Sequence, residues 1–218
     1  MTNKPRALFL DFDGTLADSL TIAREVYDRF VIQFGAVPTD SEFDSLNGPA
    51  LPEIVVRLRE RHALTQSHAE LEKLYRSLID AAYVAVEPTE GASELLEAAT
   101  RLNIPVAIVT SAERALATRF LRRHGFDSHV VQVITAEGLE RSKPDPQIYR
   151  RALAALALTA NEVWAVEDSA NGLRAAIGAG IRAWALLPRT ANLPAVDGEV
   201  HGRIASLHEL VTLLECST

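Results

Sequence analysis

Ala7-Leu8-Phe9-Leu10-Asp11-Phe12-Asp13-Gly14-Thr15-Leu16 joins four apolar residues to two carboxylates at alternate positions, with a glycine immediately after them. An uninterrupted apolar run of this length reads as a strand buried on both faces, the kind found in parallel sheets covered by helices. Asp11 and Asp13 leave such a strand on the same side. Ligands of open parallel sheets bind at the carboxyl ends of the strands, so this one segment predicts both the fold class and the end of the sheet at which chemistry occurs.

Working outward, four further runs rich in Val, Ile, Leu and Ala repeat the pattern: Val106 to Val109, Val130 to Ile134, Val163 to Val166 and Ile181 to Leu187. Helical patterns separate them at Ala92 to Leu102, Ala112 to His124, Pro146 to Leu156 and Gly172 to Ala179. Gly125 and Gly180 stand where a helix ends on a left-handed residue. A last helix is expected from Ser206 to Leu214, with Ser206 and Glu209 at capping-box spacing. Strand alternating with helix implies an α/β fold: a parallel sheet with right-handed crossovers.

The rhythm breaks between Asp18 and about Val86, where three helical patterns (Leu20 to Phe34, Leu51 to His62, Ser67 to Tyr83) occur without a strand. Thr39 and Glu42 lie at capping-box spacing between the first two, and Gly48-Pro49 marks a turn. The expected organisation is a core of residues 1–16 and 88–218 with a helical insertion of residues 17–87. Its two connections are Thr15 to Ser19 and Val86 to Gly91.

Composition narrows the function classes. A formal net charge of -7 offers no basic surface for a nucleic-acid backbone. No apolar run reaches the ~20 residues that span a bilayer, and the opening residues lack a signal-peptide core, so a cytoplasmic protein is expected. The one cysteine, Cys216, excludes an internal disulfide and a thiolate metal cluster and reads as an inert tail thiol. No two histidines have metal-ligand spacing, and Trp164 and Trp184 fall inside strand patterns and read as core.

At the carboxyl ends of the remaining strands stand Thr110-Ser111 and Glu167-Asp168-Ser169, with Arg141-Ser142-Lys143-Pro144-Asp145-Pro146 leading into a helix. If the first, second and fourth strands are neighbours, carboxylates, a hydroxyl and a lysine meet in one pocket. Clustered carboxylate oxygens suit magnesium, which binds through one or two carboxylates beside a phosphate. Phosphoryl transfer needs positive groups and donors around the equatorial oxygens, which magnesium and Lys143 would supply. Asp11 fits a carboxylate nucleophile and Asp13 an acid that protonates the leaving oxygen and later activates water. Thr110 would hydrogen-bond a phosphoryl oxygen and Asp168 would hold the metal.

At these positions the sequence resembles the haloacid dehalogenase (HAD) superfamily, whose four motifs match Asp11 to Leu16, Thr110, Lys143-Pro144 and Glu167-Asp168. The resemblance spans nearly the whole chain and implies a Rossmann-like, HAD-like α/β core with an inserted α-helical cap, as in phosphoglycolate phosphatase and beta-phosphoglucomutase. It implies a Mg2+-dependent phosphatase acting on a small phosphorylated metabolite through an aspartyl phosphate on Asp11. It further implies acid/base work by Asp13, phosphate contacts from Thr110, Ser111 and Lys143, and metal ligation by Asp11, the Asp13 main-chain carbonyl and Asp168. Glu167 stands either at the metal or just behind it. Gly48, in Gly48-Pro49-Ala50-Leu51, matches a loop that in relatives closes over substrate, though an ordinary helix–helix turn has the same composition.

Departures narrow the activity. Asp13 argues against a dehalogenase, since a halide needs no proton, and against phosphonoacetaldehyde hydrolases, which replace that acid. Ala23 and Leu51 stand where beta-phosphoglucomutases carry a histidine and an arginine, which weakens a mutase reading. A phosphate-sensing protein without catalysis would have lost Asp11, Asp13, Lys143 or Asp168, and all four are present. Sugar, polyol, glycolate and nucleotide phosphates all remain open. Ser169 and Asn171 are expected to cap the helix beginning near Gly172 rather than to bind ligand.

Overall fold

A computed structural model describes residues 4–187, 196 and 198–217. Its strands are β1 (Ala7–Leu10), β2 (Val106–Thr110), β3 (Val130–Thr135), β4 (Val163–Glu167), β5 (Arg182–Leu186) and β6 (Gly202–Ile204). They form one parallel sheet in the order β3-β2-β1-β4-β5-β6. The first strand is therefore central: Leu10 pairs with Ile108 on one side and Val166 on the other. The carboxyl ends of β1, β2 and β4 thus lie side by side, the condition on which the expected pocket depends.

Among the described residues, five helices cover the sheet: α5 (Ala92–Arg101), α6 (Arg114–Arg123), α7 (Gln147–Leu156), α8 (Ala170–Gly178) and α9 (Leu207–Cys216). Alternation along β1 divides the core. Leu8 and Leu10 join Trp164, Leu95, Phe120 and Leu210 on one face, while Ala7 and Phe9 join Val109, Tyr149 and Leu173 on the other. Both tryptophans are buried, with ring centroids 5.2 Å apart. Gly125 and Gly180 follow α6 and the end of α8 at φ values of 72° and 80°, conformations that cost glycine nothing.

Two sheet expectations need correction. The third strand is not buried on both faces; its first residues are half-exposed or exposed because it is the edge strand beside β2. A sixth strand, three residues long, extends the other edge, and it is too short to carry a periodic signal in the sequence.

Four helices rather than three lie between β1 and α5: α1 (Leu20–Gln33), α2 (Asp40–Leu46), α3 (Leu51–Arg61) and α4 (His68–Ala82). The added helix, α2, begins at Thr39, whose side chain accepts a hydrogen bond from the Glu42 amide. The reciprocal half of a capping box is absent because the Glu42 carboxylate instead accepts from the Tyr27 hydroxyl at 2.6 Å. These helices enclose their own apolar cluster, with Tyr27, Phe30, Leu58 and Leu71 at its centre. The two connections to the sheet run alongside each other: the Asp18 amide donates to the Glu87 carbonyl at 2.9 Å and the Thr89 amide to the Leu16 carbonyl at 3.0 Å.

A complete capping box, with Ser67 and Glu70 each satisfying the other's backbone amide, starts α4. Replacing Ser67 by Ala removes one arm and should cost about 1 kcal/mol. Urea unfolding is expected to show a lower midpoint with an unchanged slope; an unchanged midpoint would mean that this cap contributes nothing.

Candidate active site

Asp11 follows β1 by one residue, its amide donating to the Val166 carbonyl of β4 at 3.0 Å. Glu167 ends β4 and Thr110 ends β2. Into the space among them comes Lys143, from the loop before α7, with its ammonium 2.6 Å from Asp11 Oδ1 and 2.7 Å from Glu167 Oε1. The same nitrogen donates to the Val109 carbonyl at 2.9 Å, so its three donors are fully used. Burial alone would lower the Lys143 pKa, but the Asp11 and Glu167 charges outweigh it and hold the ammonium protonated. Glu167 Oε1 also accepts from the Tyr149 hydroxyl at 2.5 Å.

Asp13 has a different set of partners from this ion cluster. Its Oδ1 accepts from the Ser19 hydroxyl at 2.7 Å and from the Tyr83 hydroxyl. Burial pushes the Asp13 carboxyl up to about 6, against the downward pull of those two donors. A carboxyl titrating there can give or take a proton near neutrality. Ser19 and Tyr83 were not singled out in the sequence; Ser19 lies in an expected connection and Tyr83 at the end of a helical pattern, and neither position carries a local signal of pairing with Asp13.

Thr110 Oγ1 accepts from the Ala112 amide at 2.9 Å, leaving its own hydrogen to donate. Ser111 Oγ is buried without a partner. Ser169 caps α8 as expected, accepting from the Gly172 amide at 3.0 Å. Asn171 does not cap: its Nδ2 donates to the Asn47 carbonyl at 2.7 Å, tying α8 to the loop after α2. Gly48 packs against Asn171 at φ 106°, where a Cβ would lie 2.6 Å from the Asn171 Cβ. Two further bonds close the same seam, from the Ala50 amide to Ser142 Oγ and from the Ser142 amide to Glu53 Oε1, each 3.1 Å.

Between α1–α4 and the sheet lies a cavity of about 280 Å³. Asp11, Asp13, Thr110, Ser111 and Lys143 line its sheet side, and Gly48 lines its helical side. The sequence profile of haloacid dehalogenase-like hydrolases matches residues 8–186, which contain every one of these groups. The chain belongs to the haloacid dehalogenase-like hydrolase family.

Known HAD-like proteins agree over most of their length. The chain is 33% identical over 178 residues to validoxylamine A 7'-phosphate phosphatase of Streptomyces hygroscopicus subsp. limoneus, covering 80% of this chain and 82% of that protein. It is 28% identical over 200 residues to 6-phosphogluconate phosphatase of Escherichia coli, covering 89% and 88%. Its fold matches the crystal structure of CbbY from Rhodobacter sphaeroides with a TM-score of 0.79 at 24% identity, covering 94% and 96% of the two chains. Beta-phosphoglucomutase from Clostridium difficile matches with a TM-score of 0.81 at 16% identity, covering 94% and 93%.

The HAD-like site also suits a hard divalent cation. One oxygen each from Asp11, Glu167 and Asp168 lies within 4.8 Å of the others. Asp168 Oδ2 and Glu167 Oε2 are buried without hydrogen-bond partners, a costly state for a carboxylate unless something else satisfies it. Burial, and then the Asp11 charge, push both the Glu167 and Asp168 carboxyls well above the usual range. Two glycines make room for these oxygens. A Cβ on Gly14 would lie 2.3 Å from Asp168 Oδ2, and one on Gly172 would lie 1.8 Å from Glu167 Oε2.

Gly172→Ala should therefore displace the Glu167 carboxylate while leaving α8 a good helix former. Divalent-cation affinity, read by titration calorimetry, is expected to fall by about 10–100-fold, the usual effect of disturbing groups around a metal site. Unchanged affinity would remove Glu167 from the cation site.

Proposed function

We propose that this HAD-family phosphatase hydrolyses a small phosphomonoester, of the sugar, polyol, glycolate or nucleotide phosphate class, in two magnesium-dependent steps through a phosphoryl group carried on Asp11. The observation that carries this reading is the buried Lys143 ammonium, 2.6 Å from Asp11 Oδ1 and 2.7 Å from Glu167 Oε1, at the edge of a cluster of unsatisfied carboxylate oxygens.

In the first step an Asp11 oxygen attacks phosphorus in line and the bond from phosphorus to the alcohol oxygen breaks. The Asp13 carboxyl, poised near neutrality, gives its proton to the departing alcohol. In the second, Asp13 takes a proton from water as the water oxygen attacks the same phosphorus. The bond to Asp11 breaks, and inorganic phosphate leaves with the Asp11 carboxylate restored. Thr110 and Ser111 donate hydrogen bonds to the phosphoryl oxygens, and Lys143 faces the charge they develop. Ser19 and Tyr83 hold Asp13 in position between the two proton transfers.

Magnesium would be held by Asp11, the Asp13 main-chain carbonyl and Asp168, with Glu167 beside it, and when bound it neutralises phosphoryl charge. Helices α1–α4, residues 17–87 with their connections, act as a cap over a core of residues 1–16 and 88–218. Opening about the Thr15–Ser19 and Val86–Gly91 connections admits substrate, and closure excludes water until the alcohol has left. Ala23 and Leu51 line the cavity and offer no acid, base or cation toward a second substrate hydroxyl, which favours water over a sugar as the phosphoryl acceptor.

Phosphate release from a panel of phosphomonoesters, with magnesium and with excess chelator, tests the reading. Turnover is expected only with the metal, and Asp11→Asn should lower it by about 10³-fold or more, the scale of losing a covalent nucleophile. Full activity in chelator, or in Asp11→Asn, would overturn the mechanism.

A further inference from the structure

Selectivity for the alcohol half of the substrate has to come from the cavity walls above Asp13. Those walls are aliphatic: Leu20 and Val26 from α1, Leu46 from α2, Leu51 and Ile54 from α3, and Ile79 from α4. Three cations also line this cavity, and each is already held by a carboxylate. Lys143 is fixed by Asp11 and Glu167. Arg76 of α4 pairs with Glu72 at 2.7 Å and with Glu113 at the start of α6. Arg119 of α6 pairs with Asp80 of α4 at 2.9 Å.

A second phosphate or a carboxylate on the substrate would thus meet an apolar wall and cations whose charge is already matched. Its desolvation would go uncompensated. We propose that the cavity selects phosphomonoesters whose alcohol half is uncharged and presents an apolar face, such as a ring or branched chain with few hydroxyl groups, and that it discriminates against bisphosphates and carboxylated phosphates. This inference rests on the phosphatase reading and narrows it. The cavity of about 280 Å³ fits a moiety the size of a single six-membered ring, near the lower end of small-molecule pockets at ~300 Å³. The ion pairs Arg76–Glu113 and Asp80–Arg119 each join α4 to the start or body of α6, so an anionic substrate would compete with a carboxylate already in place for either arginine.

The test compares esters of primary alcohols of similar size, so that leaving-group basicity is matched: cyclohexylmethyl phosphate, glucose 6-phosphate, 6-phosphogluconate and fructose 1,6-bisphosphate, all with magnesium. The expected kcat/KM for cyclohexylmethyl phosphate exceeds that for 6-phosphogluconate and for the bisphosphate by roughly tenfold or more, as pocket complementarity commonly gives. In Ile54→Arg, which places an unmatched cation on the wall, the ratio should shift toward the anionic esters. Equal or higher kcat/KM for the anionic esters in the unaltered protein would overturn the selectivity and leave the phosphatase reading standing. Release from none of the four, nor from any other phosphomonoester, would overturn both.

Discussion

The site is organised around one buried ammonium. Three carboxylates, Asp11, Glu167 and Asp168, converge at the ends of two adjacent strands, and at such spacing in a medium of low polarity their mutual repulsion would drive protons onto them. Lys143 answers part of that charge by contacting two of the three directly. Asp11 is thereby held in a fixed orientation, which the proposed role of nucleophile requires. The remaining negative excess, visible in the unpartnered oxygens of Glu167 and Asp168, would suit a divalent cation. Removing the ammonium would leave a cluster of buried acids without their cation, and within its loop Ser142 and Lys143 are the residues that are buried, between exposed Arg141 and Pro144.

The sheet exists, in this sense, to place those groups. Parallel pairing of β1 with both β2 and β4 puts Asp11, Thr110 and Glu167 at one edge without any long-range adjustment. Glycines then remove the side chains that would collide with the carboxylates: Gly14 beside Asp168 and Gly172 beside Glu167. The helical layer supplies what the sheet lacks. Tyr83, at its far end, donates to Asp13, and the two parts of the chain meet through hydrogen bonds at Asn47, Ala50 and Ser142, through the ion pairs of α4 with α6, and through Ile22 and Ile79, which pack against the apolar cluster of the sheet.

Much of this was legible in the sequence because the informative signals are local. An apolar run ending in Asp11-Phe12-Asp13-Gly14 announces a buried strand and its chemistry together, and the continuous Val, Ile and Leu runs fix the α/β class. Gly125 and Gly180 mark helix ends by their own conformational freedom. What escaped was either too short or too distant. The three-residue β6 and the seven-residue α2 are shorter than the window over which periodicity is read. Tyr83 is 70 residues from Asp13 and Asn171 is 124 from Asn47, so no spacing rule connects them. Asn171 also shows how one residue type can serve two ends: its position near a helix start suggested a cap, whereas tertiary packing turned its amide outward to hold the neighbouring loop.

The central claim, that the phosphoryl group passes to Asp11 before it passes to water, makes a stereochemical commitment. Two in-line displacements at phosphorus invert it twice. Hydrolysis of a phosphorothioate ester, chiral at phosphorus through sulfur and one heavy oxygen isotope, in water carrying the other heavy isotope should therefore yield chiral inorganic thiophosphate with overall retention of configuration. Overall inversion would mean a single direct attack by water and would contradict the role assigned to Asp11.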